Sequence, residues 1–267
     1  MKNTCIGMLK LALGLVAALA LPSCLQNETT VTLNKDGSGT VVEETFLGAK
    51  MLEMMTQFAQ PGQPDPVEEM FSEEKAKAKT AKMGEGVEYV KTEIIDQDGK
   101  KGARTHYRFA DINKLKVSPS GAVDDMNKVA PGGEEEEAEK EETVGFTYAE
   151  GKLKVITPPT DFESMDMGDE GAENPEMEAM MTEMMADMRL TLKLKAAGGI
   201  ESTNATFTEG DTVTLFDVQV GKMLAQKDQL KKIGETAKTD KDAAKAAFSK
   251  LEGIKVETKE DVTVTLK

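Results

Sequence analysis

Thr30-Val31-Thr32-Leu33-Asn34-Lys35-Asp36-Gly37-Ser38-Gly39-Thr40-Val41-Val42-Glu43-Glu44-Thr45-Phe46-Leu47 is the stretch that decides the fold class. Its two runs alternate apolar and polar side chains with a period of two. That is the spacing of a strand buried on one face only. Between them stands turn chemistry, with Asp36 tolerating a positive φ and Gly37 preferring it. The stretch predicts a β-hairpin.

Working outward, the same signals recur. Met51, Met54, Met55 and Phe58 fall on one face of a short helix, which Pro61 to Pro66 breaks. Residues 67–83, rich in Glu, Lys and Ala, read as a second helix. A second hairpin runs from Val87 to Ile95, turns at Asp96-Gln97-Asp98-Gly99 and returns through Arg104 to Phe109. Asp111 to Leu115 reads as one helical turn. A third hairpin pairs Val144 to Tyr148 with Leu153 to Ile156 across Glu150-Gly151. Strands are predicted at Leu190 to Leu194, Ile200 to Thr206, Thr212 to Val218 and Asp261 to Leu266. Helices are predicted at about 221–233 and 240–251, the latter with Ala243, Ala244, Ala247, Phe248 and Leu251 on one face.

Hairpins interleaved with amphipathic helices indicate α+β: an antiparallel sheet of hairpins with amphipathic helices packed on one face. The Thr-rich strands at the two ends are expected to pair as neighbours. That closes one domain over 29–267, because neither half alone carries much core. Residues 118–143 and 158–174 are acidic and poor in apolar residues, and are expected to be disordered loops outside the core.

The N-terminus carries the location. After Met1-Lys2 an apolar run from Leu11 to Leu21 has the length of a signal-peptide core, too short for a permanent span. It ends in Leu21-Pro22-Ser23-Cys24, which resembles a bacterial lipobox. That resemblance implies a signal peptide over 1–23, cleavage before Cys24, acylation of Cys24 (palmitate or a similar chain), and a lipidated tether over 24–28. Cys5 would leave with the leader, and so would Lys2 and Lys10, taking the formal charge from −15 to −17. Two or more acyl chains hold a protein stably on a membrane. The protein is then expected in the cell envelope, lipid-anchored. Leu25 after the Cys implies, by resemblance to the known sorting rule, the outer membrane where the source has two membranes. No later run reaches a membrane-spanning length, so the lipid is the expected anchor.

Val31-Thr32-Leu33-Asn34-Lys35-Asp36-Gly37-Ser38-Gly39-Thr40-Val41 soon after an acylated Cys, with Leu190-Thr191-Leu192-Lys193-Leu194 and Gly198-Gly199-Ile200-Glu201-Ser202-Thr203-Asn204-Ala205 late in the chain, resembles the LppM-type and related bacterial lipoproteins. The resemblance covers the two ends of the chain. It implies an exported α+β domain associated with a ligand or lipid, and no enzyme.

Composition excludes several function classes. A charge of −15 repels nucleic-acid phosphates, so no nucleic-acid partner is expected. One His, two Cys and no Trp leave little for zinc sites, Cys–His nucleophiles or aromatic cages. Asp36-Gly37-Ser38-Gly39 and Asp96-Gln97-Asp98-Gly99 lack the alternating oxygens and position-12 Glu of a calcium loop and read as hairpin turns. His106 shares a strand face with Arg104 and Arg108, opposite Thr105, Tyr107 and Phe109, and reads as an exposed residue. With 48 Asp and Glu, no carboxylate pair stands out. No catalytic residue, metal ligand or cofactor is assigned.

The unusual feature is methionine. Eight of the 17 lie between Met165 and Met188. Met177, Met180, Met181, Met184, Met185 and Met188 fill an arc of roughly 140° on a helix over 175–189 opened by Pro175. The ordinary reading is a core-facing stripe in which Met replaces Leu. The functional reading is an adaptable groove for a lipid or apolar peptide. Copper(I) on thioethers is chemically allowed, but this segment lacks the His or Cys such sites add. The expected function is a membrane-anchored, non-enzymatic binding domain for a lipid or apolar partner. A structural or protein-interaction role in the cell envelope is the alternative.

Overall fold

The computed structural model describes residues 25–58, 65–97, 100–119, 121, 143–158, 185–259 and 261–267. The opening hairpin is formed by β1 (Leu25–Leu33) and β2 (Gly39–Leu47), paired from Leu25↔Leu47 to Leu33↔Gly39. Asp36 accepts from the Ser38 amide at 3.0 Å and the Ser38 hydroxyl at 2.6 Å, and Gly37 takes φ 88°. The turn is held by its own side chains, as an Asx turn is, and Ser38 hydrogen bonding keeps the Asp36 carboxyl below its usual range.

Then come α1 (Ala49–Phe58), α2 (Pro66–Met70), α3 (Glu73–Met83), β3 (Val87–Gln97) and β4 (Lys100–Phe109). The expected single helix over 67–83 is two. Asp65 caps α2 at the Val67 amide (2.8 Å), and Ser72 caps α3 at the Lys75 amide (3.4 Å), so the chain turns between them. After a 3₁₀ turn at Ile112–Lys114 follow β5 (Lys116–Val117), β6 (Val144–Ala149), β7 (Lys152–Ile156), β8 (Arg189–Ala196), β9 (Ile200–Thr203), β10 (Thr208–Glu209) and β11 (Thr212–Gln219). The chain closes with α4 (Val220–Leu224), α5 (Lys227–Ala237), α6 (Lys241–Phe248), β12 (Ile254–Val256) and β13 (Val262–Leu266). On α6, Ala244 and Phe248 are buried while Ala243 and Ala247 are exposed.

The class is α+β, and the strands form two sheets. The larger runs β10-β11-β8-β1-β2-β4-β3, with β12 also on β11; the smaller runs β5-β6-β7-β13-β9. The N- and C-terminal strands do not pair as expected. β1 lies between β2 and β8, and β13 lies between β7 and β9. The β1–β8 pair is parallel, placing Leu190, Leu192, Leu194 and Ala196 beside Asn27, Thr29, Val31 and Leu33. Alternation then selects the buried face of the whole large sheet.

That face meets three groups of apolar residues. Val31, Leu33, Val41, Tyr107, Phe109, Leu192 and Leu194 pack with Phe146, Leu153, Val155, Val262, Val264 and Leu266 of the small sheet. Val218 and Ile254 take Leu230, Ile233, Ala237, Ala244 and Phe248 of α5 and α6. Leu25, Leu47 and Leu190 take Met51, Val67 and Met188. Each fully buried side chain of this kind contributes about 1.5–3 kcal/mol relative to exposure. The opposite face of the sheet carries Glu28, Glu44, Arg104, His106, Arg108, Arg189 and Lys193, the Arg and Lys joined in ion pairs and His106 by a hydrogen bond across neighbouring strands. His106 Nε2 lies 3.0 Å from Glu93 Oε2. Beside that ring and Lys91, the Glu93 carboxyl titrates below its usual range, Lys91 being the larger cause.

The expected tether over 24–28 is corrected by the structure. Leu25 is 1% exposed and already paired with Leu47, and Asn27 is buried. Residues 25–28 are sheet because they continue the inward–outward alternation of β1 without a break.

Candidate functional site

A cleft of about 440 Å³ lies between α3 and the buried face of β2 and β4. Its cause is legible in α3. The stripe facing the sheet is Ala76, Lys79 and Met83, of which Ala76 and Met83 are buried. An alanine where a large apolar residue would sit leaves space beneath the helix.

The floor is Glu43 and Thr45 of β2 with Ala103, Thr105 and Tyr107 of β4; Met70, Phe71 and Ser72 close one side. Lys79 Nζ reaches Glu43 Oε2 at 2.9 Å, with the two side chains 24% and 13% exposed. Charge on a core-facing strand position survives because the partner arrives from the helix above. Thr45 accepts from Asn27 Nδ2 at 2.9 Å, and Thr105 pairs with Thr92 at 3.3 Å. Tyr107 stacks edge-on against Tyr89, ring centroids 6.3 Å apart. Lys75 and Lys82 line the rim. The cleft thus has an apolar wall, a Thr-lined floor and an ion pair inside. Such a cavity suits an amphipathic ligand.

Two contacts hold the frame. Asp65 accepts from Lys101 Nζ at 3.0 Å as well as from Val67, and these hydrogen bonds keep its carboxyl below the usual range. Gly84 ends α3 at φ 122°, where an added Cβ would stand 1.9 Å from the Lys114 carbonyl oxygen.

Of the methionines singled out in the sequence, Met177, Met180, Met181 and Met184 lie outside the described residues, as does Cys24. Met185 is half-buried. Met188 is 8% exposed and packs with Leu25, Leu47, Met51 and Leu190. Arg189 starts β8, so the helix expected to reach 189 ends before it. Met70 and Phe71 pack on that same group and also line the cleft. The sequence reading did not find the cleft. Its available signals were Glu43 on the buried face of β2 and Lys79 in the buried stripe of α3. Among the described residues, no group of three or more His, Cys, Asp or Glu could hold a metal ion, and no helix is long and apolar enough to cross a membrane.

These features define an α+β domain of two packed sheets with a helix-roofed cleft. No protein-family model matches the chain, and no curated protein matches it. Among solved structures, the chain is similar to the NMR structure of the Mycobacterium tuberculosis LppM folded domain. The likeness covers 76% of this chain and 88% of that one, at 15% identity and a TM-score of 0.31. At that level the functional reading rests on the residues of this chain.

Proposed function

We propose that this protein is a lipid-anchored component of the bacterial cell envelope whose domain binds a lipid or apolar partner without catalysing a reaction. The observation that carries the binding reading is the cleft beneath α3. Its volume of about 440 Å³ is in the range of small-molecule sites, and its lining mixes Phe71, Met70, Ala76 and Tyr107 with the Lys79–Glu43 pair. The anchor reading rests on Leu21-Pro22-Ser23-Cys24 after the apolar run, and Leu25 favours the outer membrane of a two-membrane cell. Met188, with Met185 three residues before it, would form an adaptable flank beside Met70 and Phe71.

The binding test is native mass spectrometry of the full-length protein extracted from its membrane. The wild type is expected to retain an apolar molecule that Ala76→Trp, filling the cleft, loses at unchanged melting temperature. Absence of any such molecule from the wild type, or equal retention by the variant, overturns the reading. Mass analysis of the mature N-terminus tests the anchor, and an unmodified Cys24 or retained residues 1–23 would defeat it.

One observation favours the protein-interaction alternative. β3 is an edge strand of 11 residues, with Val90 and Ile94 each 51% exposed. Exposed edges are templates for strand addition. Loss of an envelope partner on Ile94→Lys, with cleft binding intact, would support that reading.

A further inference from the structure

We infer that the end of the domain where β1 begins and β2 ends, covered by α1 and α4, is a membrane-docking surface that seats the large sheet upright on the bilayer. The inference rests on the proposed acylation of Cys24. Its own basis is the point at which the fold begins. Leu25, the residue after Cys24, is 1% exposed and paired with Leu47, which is fully buried. No spacer separates the acylated residue from the sheet. An ordinary lipoprotein tether would let the domain drift and tumble; here the first peptide bond after the lipid belongs to a ladder.

The elements at this end are fixed by register. β1 and β8 both start here, β2 and β11 end here, and β3 ends where β4 begins, with Gln97↔Lys100 as their last pair. The Val220 amide, opening α4, bonds the Met188 carbonyl at 2.8 Å. Leu52 and Met55 of α1 and Val220 of α4 are half-buried against the group that contains Leu25. Such side chains can rest their open sides on the headgroup region while the short helices lie along it. The opposite end is polar. It holds the Asn34–Ser38 turn, with Tyr148 Oη donating to the Lys35 carbonyl at 2.8 Å.

At about 3.3 Å per residue, the nine residues of β1 place that turn about 26 Å from the bilayer. Thr45 and Ala103, at the lower edge of the cleft, stand two residues above Leu47, about 7 Å up by the same rise. The lower edge of the cleft, beside Met70 and Phe71, therefore lies at headgroup height.

The test uses the absence of other thiols. Cys5 leaves with the leader and Cys24 is acylated, so one introduced cysteine is the single labelling site. The full-length acylated protein is reconstituted in phosphatidylethanolamine–phosphatidylglycerol vesicles that carry a headgroup nitroxide quencher. A fluorophore is placed at Glu53→Cys on α1 or at Lys35→Cys on the far turn; both positions are exposed. Quenching several-fold stronger at position 53 than at 35 is expected, and a flexible 20-residue insert between Cys24 and Leu25 should abolish the difference. Equal quenching at both positions in protein whose acylation is verified by mass overturns this inference alone. An unmodified Cys24 overturns both it and the lipoprotein reading.

Discussion

Arg189 and Asp217 form a two-point ion pair across β8 and β11: Nε donates to Oδ1 at 2.8 Å and Nη2 to Oδ2 at 2.8 Å. Asp217 is nearly buried, and Thr191 Oγ1 lies 3.5 Å from Oδ1. Hydrogen bonding to Asp217 raises the Arg189 guanidinium above its usual range. Arg189→Ala strands a buried carboxylate, and a loss of about 2 kcal/mol is expected. Half of the arginine side chain faces water, which keeps the figure below that of a fully buried pair. Urea unfolding of the variant measures it. A change below about 0.5 kcal/mol, the level of an ordinary surface substitution, would show that the pair is ornamental.

Gly84→Ala tests how α3 is held over the cleft. The positive φ and the 1.9 Å approach to the Lys114 carbonyl leave no room for a methyl group. Destabilisation of about 2–4 kcal/mol is expected, with the C-terminal end of α3 displaced. Hydrogen exchange of the α3 amides should rise before global unfolding. Unchanged protection would refute the role assigned to this residue.

The ion pair in the cleft makes a directional prediction. Lys79→Met leaves Glu43 on the core face without its ammonium partner and should cost about 1–2 kcal/mol. Adding Glu43→Gln should recover part of that loss, since the orphan charge is gone. A double-mutant cycle by thermal unfolding reads the coupling. Strict additivity would mean that the two charges do not interact.

Acid should weaken the fold through identifiable carboxylates. Asp36, Asp65, Glu93 and Asp111 titrate below their usual values in the folded chain, held by Ser38, Lys101, Lys91 and Asn113 respectively as the largest cause. A depressed folded pKa means that the unfolded chain binds the proton first. The stabilisation is therefore complete above the ordinary values of 3.8 and 4.5 and is lost as pH falls through the lower folded values. Urea midpoints should hold between pH 7 and 5 and drop below about pH 4. In Asp65→Asn the drop should be smaller. An equal drop in that variant would remove Asp65 from the account.

Replacing residues 122–142 with a short Gly-Ser link should leave the melting temperature within a few degrees. The segment's flanks are already neighbours, since Val117 of β5 pairs with Val144 of β6. Closing a shorter loop costs slightly less entropy. Loss of cooperative unfolding in the deletion variant would show that this acidic stretch belongs to the core.

Short-range rules determined a large part of this protein. The three hairpins, the class and the exposed face of His106 follow from period-two alternation and from Asp-Gly and Glu-Gly turns, which act over a few residues. The α2–α3 break was within local reach too, because Asp65 and Ser72 are ordinary caps; a continuous Glu, Lys and Ala pattern hid them. Tertiary structure alone decided the rest. Leu190 to Leu194 reads as a strand anywhere, yet it becomes the parallel neighbour of β1, and the C-terminal strand goes to a second sheet. Alternation sets which face of a strand is buried and says nothing about which strand lies alongside; that choice is made by the fit of whole apolar faces distant in sequence. The cleft arises in the same way. Ala76, Lys79 and Glu43 are unremarkable apart, and only the crossing of α3 over β2 and β4 turns a small residue into a space and two charges into a pair.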